Sequence, residues 1–177
     1  MLDRWMGLRA KNQRYGHSDE SYIRAAKFLD DGGVVQDWGC GGGYARQFFT
    51  NYLGIDGTND FCDIQADLRT LQTNCHSILL RHVLEHNFEW EKILTNAIES
   101  CEKLCVIIFT PFGDETKQIG WNPGYEVPDI SFRKEDLTKF FPKYTEETIE
   151  SPNVYTAPHN TETLFYVMCE EGKEDVK

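Results

Sequence analysis

Residues 32–49 read GGVVQDWGCGGGYARQFF. The apolar pair Val34-Val35 leads to an acid, Asp37, and the chain then carries glycine at 39, 41, 42 and 43 before a segment of helical character from Tyr44 to Phe49. An acid-ended strand, a glycine-rich turn and a helix start suit ligand binding for physical reasons. Glycine lets the backbone turn sharply and approach a bound group closely, and the first N–H groups of a helix face an anionic group readily. Asp37, Gly39, Cys40, Gly41 and Gly43 are therefore candidate ligand contacts. The dinucleotide pattern G-x-G-x-x-G puts its third glycine at position 44, where this chain has Tyr44, so a dinucleotide is the weaker fit.

Upstream of this stretch, Ser18 is placed to cap a helix whose first turn holds Asp19 and Glu20. Its apolar face is Tyr22, Ala25, Ala26 and Leu29, and Gly32-Gly33 stops it. Downstream, strands are expected over 52–56, 64–66 and 77–83. Trp90, Ile93, Leu94, Ala97, Ile98 and Cys101 mark one face of a helix, and Leu104 to Thr110 is an apolar run suited to a strand buried on both faces. Residues 111–130 read as irregular, followed by a helix capped by Ser131 and reaching about Phe141. Residues 145–170 read as two strands joined by a turn region containing Pro152, Pro158 and Asn160. The alternation predicts an α/β domain, a parallel sheet finished by an antiparallel pair.

Asp37-Trp38-Gly39-Cys40-Gly41-Gly42-Gly43 resembles motif I of the class I methyltransferases, the DxGCGxG turn, and the similarity extends over roughly 34–111. The resemblance implies a Rossmann-like fold: a mostly parallel seven-stranded sheet with an antiparallel C-terminal strand, strand order 3-2-1-4-5-7-6, and helices on both faces. It also implies S-adenosyl-L-methionine as methyl donor, its methionyl end at the glycine turn. Asp56, which ends the 52–56 strand and precedes Gly57, stands where an acid reaches ribose hydroxyls; otherwise it makes an Asx turn. Asp67 resembles the residue that accepts from the adenine amino group, with the Leu68 N–H meeting a ring nitrogen, and Asp63 competes for that place.

The run SILLRHVLEHN (77–87) puts Arg81, His82, Glu85 and His86 at the carboxyl end of a central strand, where ligands of open α/β sheets bind. Its VLEH resembles the same point in several O-methyltransferase groups, including ubiquinone-biosynthesis enzymes. Methyl transfer to a hydroxyl needs alignment and a base, and histidine titrates near neutrality, so His82 or His86 is the candidate base, with Glu85 beside them. Arg81 is grouped with the donor contacts. A metal on His82, Glu85 and His86 with Glu126 or Asp129 is the alternative, loosely resembling the small-RNA 2′-O-methyltransferases; the expectation is no metal.

Phe112, Trp121 and Tyr125 lie in the long Gly- and Pro-bearing connection after the 104–110 strand and are candidate acceptor contacts. Among the N-terminal residues, Trp5, Met6, Arg14, Tyr15 and His17 are candidates to fold over the same pocket, with Arg4, Arg9, Lys11 and Arg14 available to an anionic acceptor. The chain has 177 residues, enough for one core, with 29 acidic and 18 basic residues for a net charge of −11. Nucleic acid is therefore a disfavoured partner, and the expected reaction is O-methylation of a small hydroxyl-bearing acceptor such as a sugar or metabolite. The six cysteines form no CxxC pair, and the absence of an apolar leader or span leads to the expectation of a cytoplasmic protein. The expected organisation is a single domain: a helical preface (1–31), a donor-binding half (32–111), an acceptor-side half (112–170) and a frayed tail (171–177). The rivals are a non-catalytic S-adenosylmethionine- or nucleotide-binding regulatory module, against which the His/Glu cluster speaks, and a nicotinamide-dependent oxidoreductase, against which Tyr44 speaks.

Overall fold

The computed structural model describes residues 11, 18–57, 61–122, 126–151 and 160–169. In chain order these form α1 (Glu20–Leu29), β1 (Val35–Trp38), a 3-10 turn (Tyr44–Phe48), β2 (Tyr52–Asp56), β3 (Ile64–Gln65), β4 (Cys75–Arg81), a second 3-10 turn (Leu84–His86) and α2 (Trp90–Ser100). They continue with β5 (Cys101–Thr110), β6 (Lys117–Asn122), β7 (Val127–Ser131), α3 (Lys134–Thr138), β8 (Lys143–Glu150) and β9 (Thr161–Met168). Seven strands form one sheet in the order β3-β2-β1-β4-β5-β9-β8. β1 to β5 pair in parallel, and β9 runs antiparallel to both β5 and β8. With the separate β6–β7 hairpin set aside, this is the expected 3-2-1-4-5-7-6 order.

Side-chain alternation along β5 explains the layers. Leu104, Val106 and Ile108 face one side and pack with Trp90, Ile93, Leu94 and Ala97 of α2 and Leu137 of α3. Cys105 and Ile107 face the other and pack with Tyr22, Ala25 and Leu29 of α1. A strand covered on both faces has no solvent side, so over 104–109 its sequence is apolar without alternation. Burying each such aliphatic side chain contributes about 1.5–3 kcal/mol. The Ser18 hydroxyl accepts the Glu20 N–H at 3.0 Å and holds the start of α1 as expected. No helix among the described residues is long and apolar enough to cross a membrane.

Three local expectations are corrected. The segment after the glycine turn is a five-residue 3-10 turn rather than an α-helix, because only Phe49, Thr50 and Asn51 separate it from β2. The supposedly irregular 111–130 stretch contains the β6–β7 hairpin, whose strands alternate too weakly in polarity to be read as such. Ser131 ends β7 and does not cap the next helix; α3 is five residues long and begins after Arg133, without a side-chain cap. The N-terminal residues 1–10 and 12–17, the turn residues Pro152 and Pro158, and the tail after 169 lie outside the described residues, as does Tyr125.

Candidate active site

The glycine turn is shaped mainly by backbone bonds. Gly39 has φ +82°, and a Cβ there would lie 2.4 Å from Val83 Cγ2, so both conformation and packing require glycine. The N–H groups of Gly39 and Cys40 both donate to the Ile55 carbonyl, at 2.7 and 3.2 Å, tying the turn to β2. The Gly41 N–H donates to Asp56 Oδ2 at 2.9 Å, so the buried acid that ends β2 faces the middle of the turn. Asp37 is buried one strand away and accepts from the Tyr52 hydroxyl at 2.6 Å. Burial pushes its carboxyl up to about 7 and the nearby Asp56 adds to this, against the Tyr52 hydrogen bond. Burial, with Asp37 and Asp56 close by, also raises the Cys40 thiol far above its ordinary value, which makes it packing rather than a nucleophile.

The other expected donor contacts lie along the same edge. The Gly57 carbonyl accepts from Gln65 Nε2 at 3.0 Å. Asp67 accepts the Arg69 N–H at 3.0 Å and is forked by the Arg69 guanidinium, while Leu68 is buried in the core with its carbonyl accepting from Asn96. Asp63 is turned toward the Gly54 N–H (2.7 Å) and Arg46 (2.6 Å).

At the exit of β4 the backbone reverses sharply. His82 has φ 54°, in the left-handed region that costs a side-chain-bearing residue energy and that tends to be retained at functional sites. The surrounding polar groups are buried. Arg81 donates from Nε to Ser21 Oγ (3.0 Å), from Nη1 to the Tyr22 hydroxyl (2.9 Å) and from Nη2 to Glu162 (2.8 Å), with its guanidinium 4.0 Å from the centre of the Tyr22 ring. His82 Nε2 faces Glu162 Oε1 at 2.7 Å and Nδ1 faces Glu85 Oε1 at 3.0 Å, with the Phe109 ring stacked 3.6 Å away. Glu85 Oε1 also accepts the Phe109 N–H at 2.9 Å. Both ring nitrogens of His82 thus face carboxylates, and Glu162 is shared between His82 and the Arg81 guanidinium. Burial opposes ionisation of both acids, yet His82, with Arg81 for Glu162 and His86 for Glu85, holds Glu162 down at about 2 and Glu85 below its usual value.

His86 is placed differently. It is buried, and its Nδ1 lies 3.0 Å from the Pro128 carbonyl and 3.3 Å from Asp129 Oδ1, both on β7. Of the expected acceptor residues, Phe112 is half-buried against Phe165 and the core, while Trp121 is 48% exposed and stacks on the 58% exposed Phe88. Among the described residues no group of three or more His, Cys, Asp or Glu side chains is arranged to hold a metal ion.

The sequence matches no family model and no curated protein. Solved structures match over most of the chain. The 1,6-didemethyltoxoflavin N1-methyltransferase of Burkholderia thailandensis, crystallised with 1,6-didemethyltoxoflavin and S-adenosylhomocysteine, is 11% identical, with 86% of this chain and 80% of that one covered and a TM-score of 0.59. The N-terminal domain of EvdMO1, crystallised with S-adenosylhomocysteine and D-fucose, is 16% identical over 96% of this chain and 93% of that one, TM-score 0.59. A proposed RNA methyltransferase of Pyrococcus horikoshii is 12% identical over 94% of each chain, TM-score 0.56. The fold is that of the class I methyltransferases. At these identities the likeness speaks for the fold.

Within this methyltransferase fold, the glycine turn and the β4 exit lie at the carboxyl ends of adjacent strands, since β1 pairs with both β2 and β4. Sequence reasoning named Arg81, His82, Glu85 and His86 but missed Glu162, Ser21 and Tyr22, and took Asp129 only as a possible metal ligand. An acid between two threonines, just ahead of the apolar run 164–168 of β9, was the available signal for Glu162, because a fully buried carboxylate needs a partner.

Proposed function

We propose that this protein is an S-adenosylmethionine-dependent methyltransferase that methylates the oxygen of a small hydroxyl-bearing acceptor. The observation that carries the reading is the contact between Asp56 and the Gly41 N–H. It sets an acid at the end of β2 against a turn whose positive φ values at Gly39, Gly41 and Gly43 favour glycine, a residue with no side chain to block a ligand. These residues fit the donor: Asp37, Gly39, Cys40, Gly41 and Gly43 at its methionyl end, Asp56 and Gly57 at the ribose, and Asp67 and Leu68 at the adenine. Arg81 supports this edge from behind through Ser21, Tyr22 and Glu162. When bound, the donor would supply an electrophilic sulfonium methyl group for transfer to the acceptor oxygen.

His86 is the base in this reading. The Pro128 carbonyl and Asp129 face its Nδ1, contacts that orient the ring and favour the tautomer protonated there. His82, held between Glu85 and Glu162, positions the turn that carries His86. Phe112, Trp121 and Tyr125 belong to the acceptor side.

Calorimetry with S-adenosylmethionine and S-adenosylhomocysteine tests the donor assignment. Micromolar binding is expected, weakened roughly ten- to a hundredfold in Asp56→Ala by loss of a charge-assisted hydrogen-bond pair. Unchanged affinity in the variant would remove Asp56 from the site.

A further inference from the structure

Four observations on the β6–β7 hairpin converge beside His86. The β6–β7 register slips between Gln118 and Gly120, a bulge that re-aims the side chains beyond it. Trp121 pairs with Pro128, the residue whose carbonyl meets His86 Nδ1, so the indole is set by the same backbone that sets the imidazole. Phe88, two residues past His86, stacks on Trp121 with ring centres 6.5 Å apart and planes 24° from parallel, and both rings remain largely exposed. Gly120 pairs with Asp129, and a Cβ at Gly120 would sit 3.1 Å from Asp129 Oδ2; the missing side chain gives that carboxylate its place between hairpin and imidazole.

The electrostatics of the segment have one sign. Between 111 and 131 the chain carries Asp114, Glu115, Glu126 and Asp129 against Lys117 alone, and Lys117 is paired with Glu115 at 2.6 Å. An anion approaching the aromatic pair meets a segment of net negative charge, whereas a neutral ring gains from the π-faces and a cationic one from the carboxylates as well.

We infer that Phe88 and Trp121 form the platform on which the acceptor lies, and that the acceptor is a planar ring, uncharged or cationic, bearing the hydroxyl to be methylated. The inference rests on the acceptor side proposed above and adds Phe88, the role of Asp129 in charge selection and the chemical class.

The test is ligand-observed NMR binding in the presence of S-adenosylhomocysteine, with three compounds that share one hydroxylated ring: 4-ethylphenol (neutral), tyramine (cationic) and 4-hydroxyphenylacetate (anionic). Methyl glucoside serves as a hydroxyl-rich compound without an aromatic ring. The first two should bind, 4-hydroxyphenylacetate about tenfold more weakly than tyramine, and methyl glucoside not at all. Trp121→Ala and Phe88→Ala should each weaken tyramine about tenfold, Trp121→Phe should restore most of the loss, and Asp129→Asn should narrow the gap between cation and anion. Both rings are exposed, so the variants should keep the wild-type thermal midpoint, measured alongside. Preferential binding of methyl glucoside or of the anion, or tyramine binding indifferent to Trp121→Ala, would overturn the inference. Calorimetry with S-adenosylhomocysteine separates the two readings: donor binding without any phenol binding defeats this inference alone, and phenol binding without donor binding defeats the donor reading alone.

Discussion

The glycine turn and the β4 exit are neighbours at one edge of the sheet, yet they are built from different materials. The turn is held by bonds that are short in sequence: Gly39 and Cys40 to Ile55, and Gly41 to Asp56 at a separation of 15. The β4 exit is held by side chains that come from far away, with Arg81 reaching Ser21 and Glu162 at separations of 60 and 81, and His86 reaching Pro128 at 42. A site made of backbone can lose its ligand while the protein stays folded. A site made of buried charges cannot be altered without a cost in stability, because each removed partner leaves another charge unpaired.

The sharpest test of that contrast is within the exit itself. His86→Ala should lower turnover by about 10²–10⁴-fold while donor affinity stays unchanged, measured by steady-state rates and calorimetry. His82→Ala should lower rate and stability together, since its ring bridges two carboxylates. If His82→Ala slowed transfer as a stable protein while His86→Ala retained the rate, the two roles would be exchanged.

Next in size is Glu162→Gln, expected to cost about 3–5 kcal/mol in urea unfolding because Arg81 loses its buried counter-charge and His82 its carboxylate partner. The sign with pH follows from the direction of the shift. The folded-state Glu162 carboxyl is held down at about 2, against an ordinary 4.5, so its contribution is fully present above 4.5 and is lost as pH falls toward 2. Glu162→Gln should flatten that acid limb. A variant as stable as the wild type would mean that the exit tolerates change as the turn does.

On the other side of the comparison, Gly41→Val should abolish measurable donor binding, a loss of at least about a hundredfold, with a native circular dichroism spectrum. Global unfolding would show that the turn, too, is structural first. The smallest effect concerns pH. Burial opposes charging of His86, but the Asp129 hydrogen bond, the Glu85 charge and the Pro128 carbonyl outweigh it and raise its pKa above the ordinary 6.5. In the proposed role of His86 as base the neutral ring is the active form, so the rate should rise with pH through a midpoint above 6.5. Asp129→Asn should move that midpoint down, by less than about one pH unit. A midpoint that stays in place would detach Asp129 from the reacting histidine.

The same contrast explains what could be read in advance. Strands 52–56 and 104–110, the α2 face and the glycine turn were legible because each is written in a short contiguous pattern. The β6–β7 hairpin was not, because Lys117, Gln118 and Ile119 are all exposed and carry no inward and outward alternation. The expected helix after the turn shrank to a 3-10 turn and Ser131 fell at a strand end, both cases in which the spacing of neighbouring strands overrode local preference.

What the sequence determined by itself is therefore the sheet, its order through the family resemblance, and the glycine turn with its facing acid: a Gly39 that must be glycine and an acid at the end of the second strand are local facts. Only the tertiary structure decided what surrounds each histidine. His82 and His86 are four residues apart in one short run, and nothing in that run distinguishes them. Glu162, arriving on an antiparallel strand, holds one ring by its second nitrogen, and Pro128 and Asp129, arriving on a hairpin, hold the other by its first. A side chain's protonation and orientation depend on the charges packed around it, and those charges come from parts of the chain that are neighbours only after folding.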